Sequence, residues 1–350
     1  MARNRTILPT RILVTGGAGF VGSHYVRTML GPGGPPDVAV TVLDKLTGAG
    51  NPANLDDVRH TRGFSFVRGD ICDRDLVDAL AAAHDQVVHF AAGAPAVRTN
   101  VLGTQTLLEA ALRHGLRRFV HISSAEVYGS VRAGSWPETA PLRPNSPYAA
   151  SRAGSDLLAL AYHRTHGIDV RVVRCSTAYG HHQFPERVVP LIITHVLQDS
   201  PVPLYGNGLT VRDWMHVDDQ VRGIELVRRG GRPGEVYNVG AGDELSHREL
   251  AGLVLGVCGA DPGMVRFVDD GRPDGDHRRS VDCTKIRTEL AFAPRKDLVT
   301  GLEETVDWYR THRSWWEPLL RHAPAGRCDH GRGDSDRCDS ERCDYERLPS

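Results

Sequence analysis

The sequence predicts an α/β fold: a doubly wound parallel sheet, with a smaller interleaved C-terminal α+β lobe. Three observations carry this reading. Short apolar runs alternate with helical stretches through the first half of the chain. A glycine-rich turn joins the first apolar run to the first helical stretch. From about residue 180 onward, Pro and Gly break the alternation.

The elements follow in order. "RILVTG" (11–16) is an apolar run ending in Gly, and a helical pattern continues from it to Leu30. "VAVTVLD" (38–44) alternates as a strand. "FSFVRGD" (64–70), "QVVHFAA" (86–92), "RFVHISS" (118–124) and "DVRVVRCS" (169–176) are further strands. Helical stretches at 98–115 and 146–167 lie between them. The reading divides the chain into a dinucleotide-type domain at 11–179, to which about 213–240 returns. Segments 180–212 and 241–322 form the lobe, and 323–350 a tail. From Gly326 the tail runs in pentamers, GRCDH, GRGDS, DRCDS, ERCDY and ERLPS, with almost no apolar residues. A period of five fits neither helix nor strand, so the tail is expected to lack a packed structure.

The composition excludes several function classes. The chain has 350 residues, enough for a sizeable core, and a net charge of −1, which gives no field for nucleic acid or anionic membranes. No apolar run is long enough to span a membrane, and "MARNRTILPT" lacks a signal peptide's apolar core. Seven cysteines without a CxxC pair argue against a disulfide framework. A cytoplasmic protein is expected. The histidines show no metal-ligand spacing, so no metal is expected.

"VTGGAGFVGSH" (14–24) holds the glycine turn, with Gly16, Gly19 and Gly22 at three-residue intervals and Gly17 between. Such glycines let a pyrophosphate approach a helix N-terminus, where free N–H groups and the dipole favour an anion. Asp44 ends the second strand 22 positions after Gly22, where a carboxylate grips ribose hydroxyls and repels a 2′-phosphate. The sheet is therefore expected to be of the Rossmann type and to bind NAD. In "GDICD" (69–73), Asp70 and Ile71 would flank the adenine, and Asp73 reads as a helix cap.

Over about 11–320 the chain resembles the extended short-chain dehydrogenase/reductases, and most closely the dTDP-glucose 4,6-dehydratases. The blocks that carry the resemblance include "TGGAGFVGSH", "VLDKLTGAGN", "VVHFAA", "TNVLGT", "YAASR", "QFPERVVPL", "VPLYGNGLTVRDWMHVDD" and "GEVYNVGAG". It implies NAD, a nucleotide-sugar substrate, a transient 4-keto sugar, and a homodimer through a four-helix bundle built from the helices at 98–115 and 146–167. It also implies that Phe20, Val21, Lys45, Phe90, Ala91, Ala92 and Thr99 surround the cofactor.

The family's oxidation site pairs a Tyr with a Lys four residues on. Here Tyr148 is in place and Arg152 stands for the Lys. Arg keeps the charge that favours tyrosinate but is not a compact point donor. Ser124 is the expected hydroxyl partner of the sugar O4, and Glu126 the expected base at C5. Between them Ala125 occupies the position of the dehydratases' general acid. The dehydratases' polar loop is shortened to "GAPA" (93–96), and their Asn pair is replaced by Thr177-Ala178. At the nucleotide end the resemblance assigns Pro203 and Tyr205 to the base and Arg212 and Arg272 to the diphosphate; His277 is a further substrate contact. With the acid missing, the sequence points first to C4 epimerisation, possible also on an unusual or longer-chain sugar of antibiotic type. The alternatives are 4,6-dehydration, uronic acid decarboxylation, and a non-catalytic NAD-binding sensor or scaffold.

Overall fold

The structure, a computed structural model, describes residues 9–269 and 277–322. The expected diphosphate contact Arg272 and the pentamer tail lie outside the described residues.

The first half alternates as β1 (Thr10–Thr15), α1 (Phe20–Leu30), β2 (Val38–Asp44), β3 (Phe64–Arg68), α2 (Arg74–Ala82), β4 (Gln86–His89), α3 (Thr104–Arg113), β5 (Arg118–Ser124), α4 (Pro147–His166) and β6 (Val170–Cys175). In β4 and β6 every residue is buried, because helices cover both faces of the sheet. Even the arginines of β6 are buried, and each has a carboxylate: Arg171 binds Asp169 and Arg174 binds Asp156. Side chains start the helices. Asp73 accepts from Leu76 N at 3.1 Å to cap α2, and Ser146 accepts from Ala149 N at 3.1 Å to cap α4.

The stretch expected as one helix at 98–115 is divided. A π-helical turn, Val97–Gly103, precedes α3. Buried Asn100 anchors that turn: its Oδ1 accepts from Gly93 N at 3.0 Å, and its Nδ2 donates to Ser151 Oγ of α4 at 2.8 Å. Such wide turns are common at functional sites.

The second half contains β7 (Thr177–Tyr179), α5 (Val188–Leu197), β8 (Val202–Tyr205), β9 (Val211–His216), α6 (Val217–Gly230), β10 (Val236–Val239), β11 (Glu244–Ser246), α7 (His247–Cys258), β12 (Val265–Val268), β13 (Arg278–Arg279), α8 (Thr284–Leu290), α9 (Leu298–Thr311) and α10 (Arg313–His322). Strand β10 returns to the main sheet, which runs β3-β2-β1-β4-β5-β6-β10 with every pairing parallel. This is a Rossmann-type sheet, and α6 packs back beside α1.

The lobe has two small sheets. Strand β9 is the hub of one: β11 and β13 flank it, and β7 pairs with it too. Strands β8 and β12 form the other. A separate apolar core, including Trp214, Leu250, Leu302, Tyr309 and Trp316, binds α5, α7 and α9 together. Among the described residues, no helix is long and apolar enough to cross a membrane.

Candidate active site

The glycine turn leaves β1 at Thr15. Gly16 has φ +72°, and a Cβ there would lie 2.5 Å from Ala91 N. A Cβ on Gly22 would lie 2.2 Å from Gly16 O. Side chains are excluded at both positions, so backbone lines this cradle. Gly19 sits at the N-cap of α1 and offers no side-chain cap. The first-turn N–H groups of α1 are therefore left to an anion.

Asp44 accepts from Ala18 N at 3.0 Å through one oxygen and from Leu46 N at 2.9 Å through the other. The carboxylate thus fixes the turn, and each oxygen keeps a lone pair for a ribose hydroxyl. Burial pushes the Asp44 carboxyl above its ordinary value, partly offset by those two N–H donors. Lys45 Nζ lies 3.4 Å from Asp70 Oδ2, and Asp70 Oδ1 accepts from Cys72 N at 2.9 Å. Ile71 is buried beneath Gly103. Phe90 packs on Tyr25, with ring centroids 5.4 Å apart. Phe20, Val21, Ala91 and Ala92 retain exposure around the turn, and Thr99 is buried with its hydroxyl unpartnered among the described residues.

The catalytic candidates sit at the C-terminal end of β5 and in the first turn of α4. Ser124 Oγ accepts from Glu126 N at 3.2 Å and starts a 3₁₀ turn over Ala125–Tyr128. Ala125 is buried, and Glu126 is ion-paired with Arg279 of β13. Tyr148 is 37% exposed, open to a ligand.

Arg152 differs from the simple exchange of one cation for another. Its guanidinium is buried, and Nη2 donates to the Ile122 carbonyl of β5. Its Nε and Nη1 have no partner among the described residues. Buried N–H donors without acceptors are costly, and a ligand rich in oxygens would satisfy them. The Thr99 hydroxyl, the bare α1 N-terminus and the side-chain-free glycine cradle make the same demand. The residues present therefore fit a dinucleotide.

Beneath this site runs a buried network. Arg174 Nε donates to Asp156 Oδ2 at 2.9 Å and Nη1 to Tyr128 OH at 2.8 Å; Tyr128 OH donates to Asn238 Oδ1 at 2.8 Å. His121 lies 3.2 Å from Asp156 Oδ1. Burial opposes ionisation of Asp156, yet His121 and Arg174 bring its carboxyl below the ordinary value. Burial pushes Tyr128 up to about 12, so it serves as a neutral donor. This network holds β5, β6 and α4 in register beneath Tyr148.

At the substrate end, Thr177 pairs with Trp214 across β7 and β9, and Pro203 and Tyr205 lie in β8. Arg212 is buried in β9, where Nη1 donates to Val211 O at 2.8 Å. His277 is exposed, and its contact with β9 is through its carbonyl, which accepts from Val211 N at 2.8 Å. Strand register instead sets Arg279 beside Arg212. Sequence reasoning missed Arg279 and Asn100. The arginine pair in "HRRS" and the Asn in "RTNVLGT" were visible, but only the fold shows what they reach. It also missed a histidine group: the fold gathers His24, His181 and His182, which no local spacing announces.

A side-chain-free glycine cradle, an acid closing β2, and an exposed Tyr in the first turn of α4 define an NAD-dependent enzyme of the extended short-chain dehydrogenase/reductase type. The chain belongs to the NAD dependent epimerase/dehydratase family, whose model matches residues 12–240. A dTDP-glucose 4,6-dehydratase of Streptomyces griseus is 58% identical over 329 residues, covering 91% of this chain and 99% of that protein. Among solved structures, a dTDP-glucose 4,6-dehydratase of Streptomyces venezuelae with NAD bound matches with TM-score 0.85 and 51% identity, over 89% of this chain and 100% of that one. A UDP-glucose 4-epimerase of Thermotoga maritima matches with TM-score 0.78 and 30% identity, over 86% and 99%.

Proposed function

We propose that this chain acts on a nucleoside-diphosphate hexose through a transient 4-keto sugar, and that its net reaction is 4,6-dehydration of dTDP-glucose. The single observation that carries the choice of net reaction is the 58% identity to a dTDP-glucose 4,6-dehydratase across nearly the whole of both chains. It moves the reading away from C4 epimerisation, which the missing acid at Ala125 had favoured.

Tyr148 takes the proton from the sugar O4, and Ser124 holds that oxygen. The glycine turn, Asp44 and Arg152 would hold NAD, which would supply a reversible hydride acceptor for C4. The ketone acidifies C5, and Glu126 takes the C5 proton while Arg279 holds the carboxylate. The C5–C6 double bond forms as the C6–O bond breaks, and the departing hydroxide needs a proton. Ala125 has none to give. Glu126, which has just gained one, returns it, so one carboxyl serves as base and then acid, and water leaves. Hydride at C6 and a solvent proton at C5 complete the product.

C4 epimerisation is the second reading, and Ala125 is the observation that favours it. Turnover of dTDP-glucose in deuterated water, with products read by mass and NMR, separates the two. A 4-keto-6-deoxy sugar carrying solvent deuterium at C5 supports the proposal. A C4 epimer without deuterium replaces it with the second reading. No turnover, with no hydride transfer, leaves a non-catalytic NAD-binding role.

A further inference from the structure

His24 of α1 and His181-His182 of the loop after β7 lie far apart in the sequence. The fold brings one ring nitrogen of each within 4.8 Å of the others. None of them belongs to the cofactor cradle or to the catalytic group. The hydrogen atoms around them can be placed by counting. His24 Nε2 lies 2.8 Å from the His181 carbonyl oxygen, which only accepts, so Nε2 carries the hydrogen. His24 is 3% exposed, and burial disfavours a charged imidazolium. Its Nδ1 then presents a lone pair, and that lone pair faces Asp218 Oδ1 at 3.4 Å.

Asp218 meets the same situation on its other side. His216 Nδ1 accepts from Asp218 N at 3.3 Å, so it too presents a lone pair, 3.4 Å from Asp218 Oδ2. The hydrogen of His216 is left on Nε2, which is buried and unpartnered among the described residues. Lys296 Nζ approaches Oδ2 at 3.6 Å, which balances that oxygen. Across Oδ1 and His24 Nδ1 no hydrogen remains to bridge the two acceptors.

A separation of 3.4 Å is long for a hydrogen bond. The other two imidazoles are at hand. His181 Nδ1 and His182 Nδ1 lie 2.7 Å apart, so one donates to the other; the donor ring has its Nε2 lone pair to offer, and the acceptor ring offers its Nδ1 lone pair to an ion in exchange for that hydrogen bond. His182 holds φ +62°, a backbone conformation that bulky residues avoid. Asp218 is 51% exposed in its side chain and opens the group to solvent.

We infer that His24, His181 and His182 form a binding site for a divalent transition-metal ion of the zinc class, with the Asp218 carboxylate beside His24 to balance the charge and the fourth position left to solvent. Three imidazole donors with an open fourth position suit zinc and cobalt, not magnesium or calcium. Arg27, one turn further along α1, opposes the ion's charge, and Asp218 offsets it. The ion ties α1, which begins at the dinucleotide turn, to the β7–α5 loop and the start of α6. Trp308 of α9 packs on His182 at 4.3 Å, so the C-terminal helices join the same clamp.

The test is titration of chelator-stripped, full-length protein with Co²⁺, followed by visible absorption, and with Zn²⁺, followed by calorimetry and thermal melting. The expected result is one equivalent bound with a four-coordinate nitrogen and oxygen spectrum, and a melting midpoint raised by a few degrees. His182→Asn, which tolerates the positive φ, and His181→Gln should each weaken Co²⁺ at least about tenfold. Wild-type protein that binds no equivalent, or variants that bind as tightly as wild type, would overturn the site. The sequence also carries Cys328, Cys338 and Cys343, so a triple Ser variant is the control. It should keep the site; if it loses binding while His182→Asn retains it, the metal belongs to those thiols and the inference fails. His181→Gln decides alone if His182→Asn fails to fold.

Discussion

Arg279 of β13 forms an ion pair with Glu126, the carboxylate expected to take the C5 proton. The two residues come from different lobes. Glu126 follows β5 of the main sheet, and Arg279 reaches it because β13 pairs with β9 in register with Arg212. The pair therefore couples docking of the lobe to the position of the base. Arg279→Gln is expected to lower kcat for dTDP-glucose about 10- to 100-fold with a smaller change in KM, and Arg279→Lys to recover part of the loss. Glu126→Gln is expected to stop deuterium entry at C5 while leaving reversible oxidation at C4 intact. Cofactor reduction by stopped flow, beside isotope analysis of the product, reads both steps. Unchanged C5 exchange in Glu126→Gln would place the base elsewhere.

The extent to which this site was legible in the sequence depends on range. The glycine turn, Asp44, Ser124, Glu126 and Tyr148 lie at the ends of strands or starts of helices, where local pattern dictates geometry. The strands at 38–44 and 118–124 were legible to the residue for the same reason. Arg279 and Asn100 were not, because their roles arise from partners that the topology brings from distant segments. Arg152 was legible as a cation but not in its placement. Its guanidinium is longer than a Lys head and reaches inward to the Ile122 carbonyl, a contact only the packing of α4 on β5 creates. His24, 157 positions from His181, is the extreme case.

Asp44 performs two tasks, and a variant should expose both. Its oxygens fix Ala18 N and Leu46 N, and we propose that they also hold a ribose. Asp44→Ala is expected to weaken NAD at least tenfold and to narrow the preference over NADP, since the repulsion of a 2′-phosphate is lost. Fluorescence titration with both cofactors checks this. A wild type that binds the two equally would remove the premise.

Stability should fall on mild acidification. His89 and His121 are fully buried, with rings 5.3 Å apart. Thr15 Oγ1 and Thr104 Oγ1 lie 2.7 and 2.9 Å from the two nitrogens of His89. Burial pushes His89 well below its ordinary value, and His121 and Arg152 push it further. Burial also lowers His121, against the pull of Asp156. Their folded values lie below the unfolded ones, so the unfolded state binds more protons in acid. Their contribution is complete above about pH 6.5 and is lost progressively as pH falls below it toward their lower folded values. Asp213 works the other way: burial pushes it up to about 6, so acid relieves its buried charge. Burial lowers His24, His84, His181, His182 and His216 as well, and raises Asp44, Glu138, Glu186 and Asp243, so the imidazoles outnumber the raised carboxyls. The urea midpoint is expected to be lower at pH 5.5 than at 7.5, with a smaller difference in His89→Gln. A midpoint that rises at pH 5.5 would give the dominant role to the raised carboxyls.

We propose that the chain forms a dimer through α4 and the Val97–Gly103 turn with α3. Those elements pack on one another and leave Val97, Leu102, Leu112 and Leu157 at the surface, with Leu157 54% and Leu102 52% exposed. Apolar side chains exposed on adjacent helices are suited to bury against a second copy. Leu157→Glu with Leu102→Glu is expected to give a monomer by light scattering while the wild type is a dimer. A wild-type monomer, or a double variant that stays dimeric, rejects this face.

The missing acid can be restored. Ala125 is buried at the first position of the 3₁₀ turn that Ser124 starts, directly before Glu126. Asp at 125 would set a second carboxyl beside the first. Two carboxyls sharing a site do not ionise together, because like charges disfavour the second ionisation, so one holds a proton near neutral pH. Arg279 stabilises the ionised partner at Glu126. The variant thus supplies what the proposed reaction lacks: a proton donor for the C6 hydroxyl while Glu126 remains a base. Loss of a general acid typically costs about 10²–10⁴ in rate, or roughly 3–5 kcal/mol of barrier. In the wild type, Glu126 must finish taking the C5 proton before it can give one back, so elimination is expected to be slow. Ala125→Asp is expected to raise the rate of 4-keto-6-deoxy sugar formation from dTDP-glucose at least tenfold, with the rate of C4 oxidation little changed. Single-turnover assays that follow cofactor reduction and product separately make the comparison. If Ala125→Asp binds NAD normally yet eliminates no faster than the wild type, another group already delivers the proton, and the single-carboxyl mechanism is wrong.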